Sequence, residues 1–215
     1  DDRDLLVRKG IAPKKTSIVI RSVGVDVANR LVLDEPKGKP TIVLVGRLLK
    51  DKGVREFVHA ARLLRERGAD ARCALVGDVD VGNPASLTRA EVDDWVAEGI
   101  VEWWGWRSDM ENVYAAAHVV CLPSYREGVP RTLLEAASHG RPVVTTDAPG
   151  CRETCVDGVT GYLVAVRNAA ALANALERLI RDATLRRRMG LAGRDLMERE
   201  FAQPLVVEQT MDVYH

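Results

Sequence analysis

Two glutamates, Glu127 and Glu135, flank what the sequence predicts to be the start of a helix, with seven residues between them. Pro130 stands between them and suits a first helical position, because the N–H it lacks would have had no partner there. The free amide N–H groups of a first helical turn favour an anion such as phosphate. The stretch 123–144, PSYREGVPRTLLEAASHGRPVV, therefore combines a possible phosphate site with two acids that would bind another part of the same ligand.

Glu135 also has a purely structural interpretation, which the sequence leaves open. Thr132 and Glu135 have the spacing of a capping box, in which the glutamate side chain bonds a backbone N–H at the start of its helix. Glu127 has a weaker structural alternative, as a solvated acid on a loop.

A second group of charges follows the apolar run 41–46. In the stretch GRLLKDKG, Arg47 and Lys52 are two cations beside a predicted helix start, and Gly46 and Gly53 allow a backbone to approach closely. Two cations in such a place suit a diphosphate. Taken alone, the stretch favours a solvated loop that carries two ordinary surface charges. The diphosphate interpretation gains support only because a second anion-friendly helix start is expected nearby in the fold.

The elements that must position these residues alternate along the chain. Short apolar runs predict six strands: 41–46, 72–77, 100–105, 118–124, 142–146 and 161–165. Amphipathic stretches predict the helices: 53–68, 88–99, 108–117, one that begins near Pro130, 168–182 and 184–200. This alternation predicts an α/β fold with a parallel sheet covered on both faces. Ligands of such sheets bind beyond the carboxyl ends of the strands, where both glutamates and both cations would lie.

Local signals refine the ends of some elements. Thr88 with Glu91, and Ser108 with Glu111, have capping-box spacing at the start of their helices. The segment 34–40, DEPKGKP, is typical of a connector between structural units. The end of the chain, 201–215, is predicted to be a short helix or tail.

Composition excludes several classes of function. The chain has 215 residues, of which 47% are hydrophobic and 29% charged, an ordinary soluble profile. A formal net charge of zero argues against a nucleic-acid binder that depends on bulk charge. No apolar run approaches the roughly 20 residues of a membrane span. The start, DDRDLLVRKG, lacks an initiator methionine and the character of a signal peptide, so we expect an excised piece of a longer protein.

The four cysteines favour a reduced, cytosolic protein. Cys73 and Cys121 lie in apolar runs and are expected to be small buried thiols. Cys151 and Cys155 lack the spacing of a metal knuckle and have no flanking histidine, so no zinc site is expected.

Several segments, taken in order, resemble the retaining GT-B glycosyltransferases of the family 4 group. They are RSVGVD, VGRLLKDKG, ALVGD and the whole of 103–164, and the match covers about residues 18–201. The segments GNPAS and PSYREGVPRTLLEA resemble the corresponding segments of members that add N-acetylated or related sugars to lipid-linked oligosaccharides of bacterial surface glycans. The resemblance implies a Rossmann-like three-layer α/β/α domain, the C-terminal half of a GT-B fold.

The resemblance also implies roles for the site residues. Arg47 and Lys52 match the pair that neutralises the diphosphate of a nucleotide-sugar donor, here expected to be a UDP-sugar. Glu127 matches the acid that binds sugar hydroxyls, and Glu135 the acid that holds the ribose hydroxyls. With Arg47, Lys52 and Glu127 as the catalytic residues, the implied donor site contains Gly46, Arg47, Lys52, Gly77, Trp106, Arg107, Glu127, Gly128, Val129, Pro130, Arg131 and Glu135.

Transfer in that family moves the sugar to an acceptor hydroxyl with retained configuration, by front-face displacement and with no metal or other cofactor. The resemblance implies that residues 1–40 are the end of an acceptor domain and a connector, 41–200 the donor domain, and 201–215 a crossing helix or tail. The acceptor, a glycan or lipid-linked glycan, would bind through an N-terminal domain that the chain lacks. We therefore expect donor binding without transfer, no nucleic-acid partner, and a cytoplasmic protein that lies free or peripherally on the inner face of the membrane.

Other interpretations remain open at the level of sequence. A GT-B nucleotide-sugar epimerase or a noncatalytic nucleotide-sugar module would carry the same residues, whereas a phosphorylase would need a cofactor lysine motif that is absent. No G-x-G-x-x-G follows a strand, which argues against a Rossmann oxidoreductase. The D-x-D at 78–80 is better interpreted as loop than as metal ligands.

Two further residue types, histidine and tryptophan, invite over-interpretation. His118 is expected at the start of a strand, and His139 at the C-cap of its helix. Three of the four tryptophans fall within 103–106, and the strand is expected to bury at least one of its two. Core packing is therefore favoured over a base-stacking platform.

Overall fold

A computed structural model of the chain describes residues 2–20 and 24–214. The first three residues of the RSVGVD motif, 21–23, lie outside the described residues, as do positions 1 and 215.

The six predicted strands are confirmed and form one parallel sheet. They are β1 Thr41–Val45, β2 Arg72–Val76, β3 Glu102–Gly105, β4 Val119–Leu122, β5 Val143–Thr146 and β6 Gly161–Val164. Their order across the sheet is β3-β2-β1-β4-β5-β6, the strand order of a doubly wound Rossmann fold. The order reverses between β1 and β4, so the loops that leave these two strands border the crevice where such folds bind ligands.

Helices cover both faces of the sheet. The helices are α1 Asp2–Arg8, α2 Val54–Glu66, α3 Arg89–Ala97, α4 Met110–Ala116, α5 Arg131–Ser138, α6 Ala169–Arg181, α7 Ala183–Leu196 and α8 Gln203–Met211. Of these, α2, α3 and α6 pack on one face of the sheet, and α4 and α5 on the other. All predicted helices are present, and the C-terminal tail forms α8. Within the described residues, no helix has the length and apolar composition needed to cross a bilayer.

Two apolar cores result from the alternation of side chains along the strands. In β1, Ile42 and Leu44 pack with α2, α3 and α6, whereas Val43 and Val45 pack with α4 and α5. The predicted buried thiols, Cys73 and Cys121, lie in the first of these cores. Continuous burial on both faces explains why these strands are apolar throughout.

The segment before β1 does not form a strand or helix after residue 24, but it is attached to the helices. Val25 forms a parallel bridge with Ala202, and its amide donates to the Phe201 carbonyl at 2.8 Å. Arg194 of α7 donates to the carbonyls of Val27 and Arg30 at 2.9 and 2.6 Å. Residues 24–40, called the connector below, therefore run along α5 and α7 and reach the sheet from their side.

Two expectations about helix starts need correction, and a third is confirmed at its N-cap residue. Pro130 is the N-cap of α5 and not its first residue. The Ser108 box is wrong, because α4 begins at Met110 behind Asp109. At α3, the Thr88 side chain accepts the Glu91 amide as predicted.

Glu91 makes only half of that capping box. Its carboxylate pairs with Arg55 of α2 at 2.7 Å, so it does not return to the N-cap backbone. A neighbouring helix supplied a stronger partner than the local amide.

Candidate functional site

A glycine contact holds the β1 and β4 loops together. Gly53 adopts φ 71°, and a Cβ at this position would lie 2.1 Å from the carbonyl oxygen of Pro123. Only glycine permits this approach of the two backbones. Nearby, the Tyr125 amide donates to the Asp51 carbonyl at 2.8 Å. Lys52, in the short 3₁₀ turn before Gly53, is thereby placed beside the β4 loop.

Lys52 and Glu127 meet across the crevice. The Lys52 ammonium donates to Oε1 of Glu127, and the Ser124 hydroxyl donates to the same oxygen at 2.6 Å. Both side chains are largely shielded from solvent, with 21% and 12% of their surface exposed. Among the described residues Oε2 of Glu127 has no hydrogen-bond partner, so this oxygen can accept from a ligand hydroxyl.

Arg47 lies at the same edge and pairs with an acid from the β2 loop. Its Nη1 donates to Oδ2 of Asp80 at 2.7 Å, and the side chain of Asn83 donates to that oxygen at 3.0 Å. These bonds, that of Asn83 first, lower the pKa of Asp80. Asp80 therefore bonds within its own loop and to Arg47. Residues 2–20 and 24–214 contain no cluster of three metal-ligating side chains.

The helix start at 127–132 presents unused donors. The Glu127 amide donates to the Pro149 carbonyl at 3.1 Å, which fixes the loop against the β5 loop. In contrast, the amides of Gly128, Val129, Arg131 and Thr132 donate to no acceptor in the described parts of the chain. A turn with several free N–H groups at the start of a helix suits an anion.

Glu135 lies one turn into α5 and is not a capping residue. Its Oε1 accepts from Arg30 at 3.1 Å and from Arg131 at 3.0 Å, and its Oε2 accepts from the Tyr114 hydroxyl at 3.1 Å. Burial, and then the adjacent carboxylate, raise the pKa of Tyr114 well above its usual range, so the hydroxyl keeps the proton that it donates. The capping-box interpretation of Glu135 is thus wrong.

Trp106 and Arg107 of the implied donor site follow β3, two strands from β1 at the edge of the sheet. Gly77, at the end of β2, lies against the Gly46 carbonyl and accepts from the Trp103 indole at 2.8 Å. The Trp106 side chain is 70% exposed, and Arg107 is paired with Asp109. The structure therefore leaves Trp106 in solvent beside the edge and does not bring it to the two glutamates.

The tryptophans of β3 correct one expectation. The sequence predicted that at least one of these two tryptophans is buried. In the structure, Trp103 and Trp104 are both only half-buried. Each nevertheless packs against one of the two cores, which agrees with the packing interpretation.

The two buried histidines occupy the predicted positions. His118 precedes β4, and its Nδ1 accepts the Thr41 amide at 2.9 Å. His139 is the C-cap residue of α5, but its ring does not bond the last helical carbonyls. Its Nδ1 lies 2.9 Å from the Leu31 carbonyl and its Nε2 lies 3.2 Å from Nη1 of Arg30.

These histidines predict a pH dependence of stability. Burial is the main cause that lowers the pKa of both imidazoles below the ordinary value of about 6.5. The unfolded chain then binds more protons than the folded chain just below that value, so the free energy of unfolding falls as pH drops from about 7.5 to 5.5. We expect a lower urea midpoint at pH 5.5.

A variant comparison checks the cause. His139→Gln should reduce the pH dependence, because it removes one of the two imidazoles whose pKa burial lowers. An equal pH dependence in the wild type and in His139→Gln would contradict a contribution from His139.

The sheet order and the cation-bearing loops at its switch point define a Rossmann-like α/β domain whose ligand edge suits an anion. A model of the family described as glycosyl transferases group 1 matches residues 39–182, and the chain belongs to this family. The fold is of the GT-B type.

Relatives and solved structures agree with this assignment. The capsular polysaccharide biosynthesis glycosyltransferase CapM of Staphylococcus aureus is 29% identical over 171 residues, which is 80% of this chain and 44% of CapM. Sucrose-phosphate synthase from Thermosynechococcus elongatus superposes with a TM-score of 0.83 at 26% identity, over 99% of this chain and 55% of that one. Anabaena HepE in complex with UDP has a TM-score of 0.78 at 22% identity, over 89% and 55% of the two chains, a likeness of fold alone.

The chain spans about half the length of the curated relatives it matches, 44% in CapM and 52% in the alpha-maltose-1-phosphate synthase of Mycobacterium tuberculosis.

Proposed function

We propose that this chain is the donor-binding half of a retaining glycosyltransferase of the family 4 group. It would hold a nucleoside-diphosphate sugar, with UDP as the nucleotide, whose sugar passes to a hydroxyl of a bacterial polysaccharide or lipid-linked glycan. The observation that carries the proposal is the arrangement around one helix start: Lys52 and Glu127 on one side, Glu135 on the other, and free amides between them.

The diphosphate would lie between the β1 loop and the start of α5. Lys52 and Arg47 supply positive charge, and the amides of Gly128, Val129 and Arg131 donate hydrogen bonds to phosphate oxygens. To bind there, the diphosphate replaces interactions that the two cations now make with Asp80 and Glu127.

Each glutamate would bind hydroxyls on one side of the diphosphate. A carboxylate accepts two hydroxyl hydrogen bonds at once, which suits the vicinal hydroxyls of a sugar or a ribose. Glu127, next to Lys52, lies on the sugar side. Glu135, enclosed by α4 and α5, lies on the ribose side.

In the reaction, the bond between the anomeric carbon and the diphosphate oxygen breaks while the acceptor oxygen bonds the same face of that carbon. The leaving oxygen takes the electron pair, and the leaving phosphate takes the proton of the acceptor hydroxyl. Arg47 and Lys52 stabilise the charge that develops on the leaving group. Because the chain spans half of its relatives, we infer that the acceptor binds mainly to parts of the full-length protein beyond it.

Calorimetric titration with UDP, GDP, ADP and inorganic pyrophosphate tests the proposal. Selective binding of one nucleotide, with weaker binding of pyrophosphate, supports a site that reads both the diphosphate and the nucleoside. No binding of any of the four would contradict it.

Glu135→Gln is expected to weaken UDP binding by about 30-fold and to change pyrophosphate binding by less than about twofold. The neutral amide accepts weaker bonds from ribose hydroxyls, whereas the diphosphate contacts are made by other residues. Glu177→Gln, on α6 and paired with Arg67, is the matched control and should leave both affinities unchanged. Equal losses for UDP and pyrophosphate would argue against a ribose role for Glu135.

A further inference from the structure

Arg30 of the connector reaches the buried face of α5, 105 positions away in sequence. Its Nη2 donates to Oε1 of Glu135 at 3.1 Å, and its Nη1 lies 3.2 Å from Nε2 of His139. The guanidinium is thus held between a carboxylate and an imidazole, and both side chains of the ion pair are shielded, with exposed fractions of 21% and 11%.

The hydrogen-bond pattern assigns the tautomer of His139. Its Nδ1 lies 2.9 Å from the Leu31 carbonyl, and because a carbonyl only accepts, Nδ1 carries the proton. The lone pair of Nε2 is then free to accept from Arg30. His139 therefore holds the Arg30 guanidinium in the direction of Glu135 and ties it to its own connector segment.

The three donors around Glu135 are not equivalent. Tyr114 is fully buried and Arg30 largely so, whereas the Arg131 side chain is 71% exposed. A ligand hydroxyl can replace the exposed donor at small cost, because Arg131 can return to water. The two shielded donors remain and keep one bond on each carboxylate oxygen.

We propose that Arg30 is a positioning residue that holds the Glu135 carboxylate in place for the ribose of the donor, with Tyr114 as its partner on the other oxygen. The inference rests on the proposed function of Glu135. Arg30 would not touch the nucleotide. It fixes the rotamer of Glu135, so the bonds to the ribose form without rearrangement of a buried acid.

The fold around Arg30 is supported independently of its side chain. Arg194 donates to the carbonyls of Val27, Arg30 and Ser138, and the Leu33 amide donates to the His139 carbonyl at 3.1 Å. Removal of the guanidinium should therefore leave the connector in place, and Arg30→Met is a fair test of positioning.

The test compares UDP with inorganic pyrophosphate by calorimetry for the wild type, Arg30→Met, Arg30→Lys, Tyr114→Phe and Glu135→Gln. We expect Arg30→Met to weaken UDP about 10-fold and pyrophosphate by less than about twofold, because only the ribose contact depends on Glu135. Arg30→Lys keeps the positive charge, but its ammonium group can bond only Glu135 or His139 at one time. It should therefore recover part of the UDP affinity that Arg30→Met loses. Arg62→Met, which breaks an exposed pair with Glu98 on α2 and α3, should change neither affinity.

The outcomes separate the two proposals. No UDP binding by the wild type would overturn the proposed function and this inference with it. Loss of UDP binding in Glu135→Gln but not in Arg30→Met or Tyr114→Phe would overturn the inference alone. Equal losses of UDP and pyrophosphate in Arg30→Met would reveal a general structural role and would also overturn it.

Discussion

Lys52→Met is expected to reduce the affinity for UDP and for pyrophosphate by about 100-fold each. The substitution removes a largely shielded cation from the diphosphate side of the crevice. It also leaves the Glu127 carboxylate, which now accepts from Lys52 and Ser124, with its charge uncompensated and facing the phosphates. Lost attraction and new repulsion act in the same direction, so the effect exceeds that of an exposed ion pair.

Calorimetry with both ligands measures the effect. Lys39→Met is the matched control, because it breaks an exposed pair with Asp70 and should leave both affinities unchanged. The double variant with Glu127→Gln should bind pyrophosphate more tightly than Lys52→Met, since it removes the repelling charge. Affinities of Lys52→Met within threefold of the wild type would show that the diphosphate does not bind at this cation.

Sheet and crevice could be predicted because the signals for them are local. Six apolar runs separated by amphipathic stretches define the strands and helices, and the rule that ligands bind at the carboxyl edge places the loops after β1 and β4 together. Because Lys52 and Gly53 lie in the loop after β1, the same rule places them beside the loop after β4. The structure adds that the two loops touch through a glycine and a proline carbonyl.

The partners of the predicted site residues could not be predicted in the same way. Arg30 and Tyr114 come from segments 105 and 21 positions away from Glu135, and neither carries a local motif. The capping-box spacing of Thr132 and Glu135 pointed to a local bond instead. Glu135 forms a longer-range ion pair with the shielded Arg30 because a charged donor bonds a carboxylate more strongly than a backbone amide does.

The pairing of the site's cations with acids also could not be predicted from the sequence. Both cations that are proposed to meet the diphosphate are already paired with an acid, Arg47 with Asp80 and Lys52 with Glu127. The pairs keep the charges in position without a ligand. When the diphosphate binds, each cation therefore exchanges a carboxylate partner for a phosphate. The net affinity depends on how completely the released carboxylates find new hydrogen-bond donors.

The β5 loop holds the anion-binding turn in place through Gly150. This residue adopts φ 79°, and a Cβ on it would lie 1.5 Å from the Gly128 carbonyl oxygen and 2.4 Å from that of Glu127. No rotamer change can relieve such a clash, because both obstacles are backbone atoms. Gly150→Ala must therefore push the 127–129 turn away from the β5 loop.

We expect Gly150→Ala to lower the free energy of unfolding by about 3 kcal/mol and to abolish measurable UDP binding. Gly158→Ala is the matched control, since Gly158 has a similar φ of 72° but open space around its Cβ position. It should cost about 1 kcal/mol from backbone strain alone and leave UDP binding intact. Urea denaturation and calorimetry on the two variants separate backbone strain from displacement of the turn. If both variants lost the same stability and both still bound UDP, the close approach of Gly150 to the 127–129 turn would have no part in holding the donor.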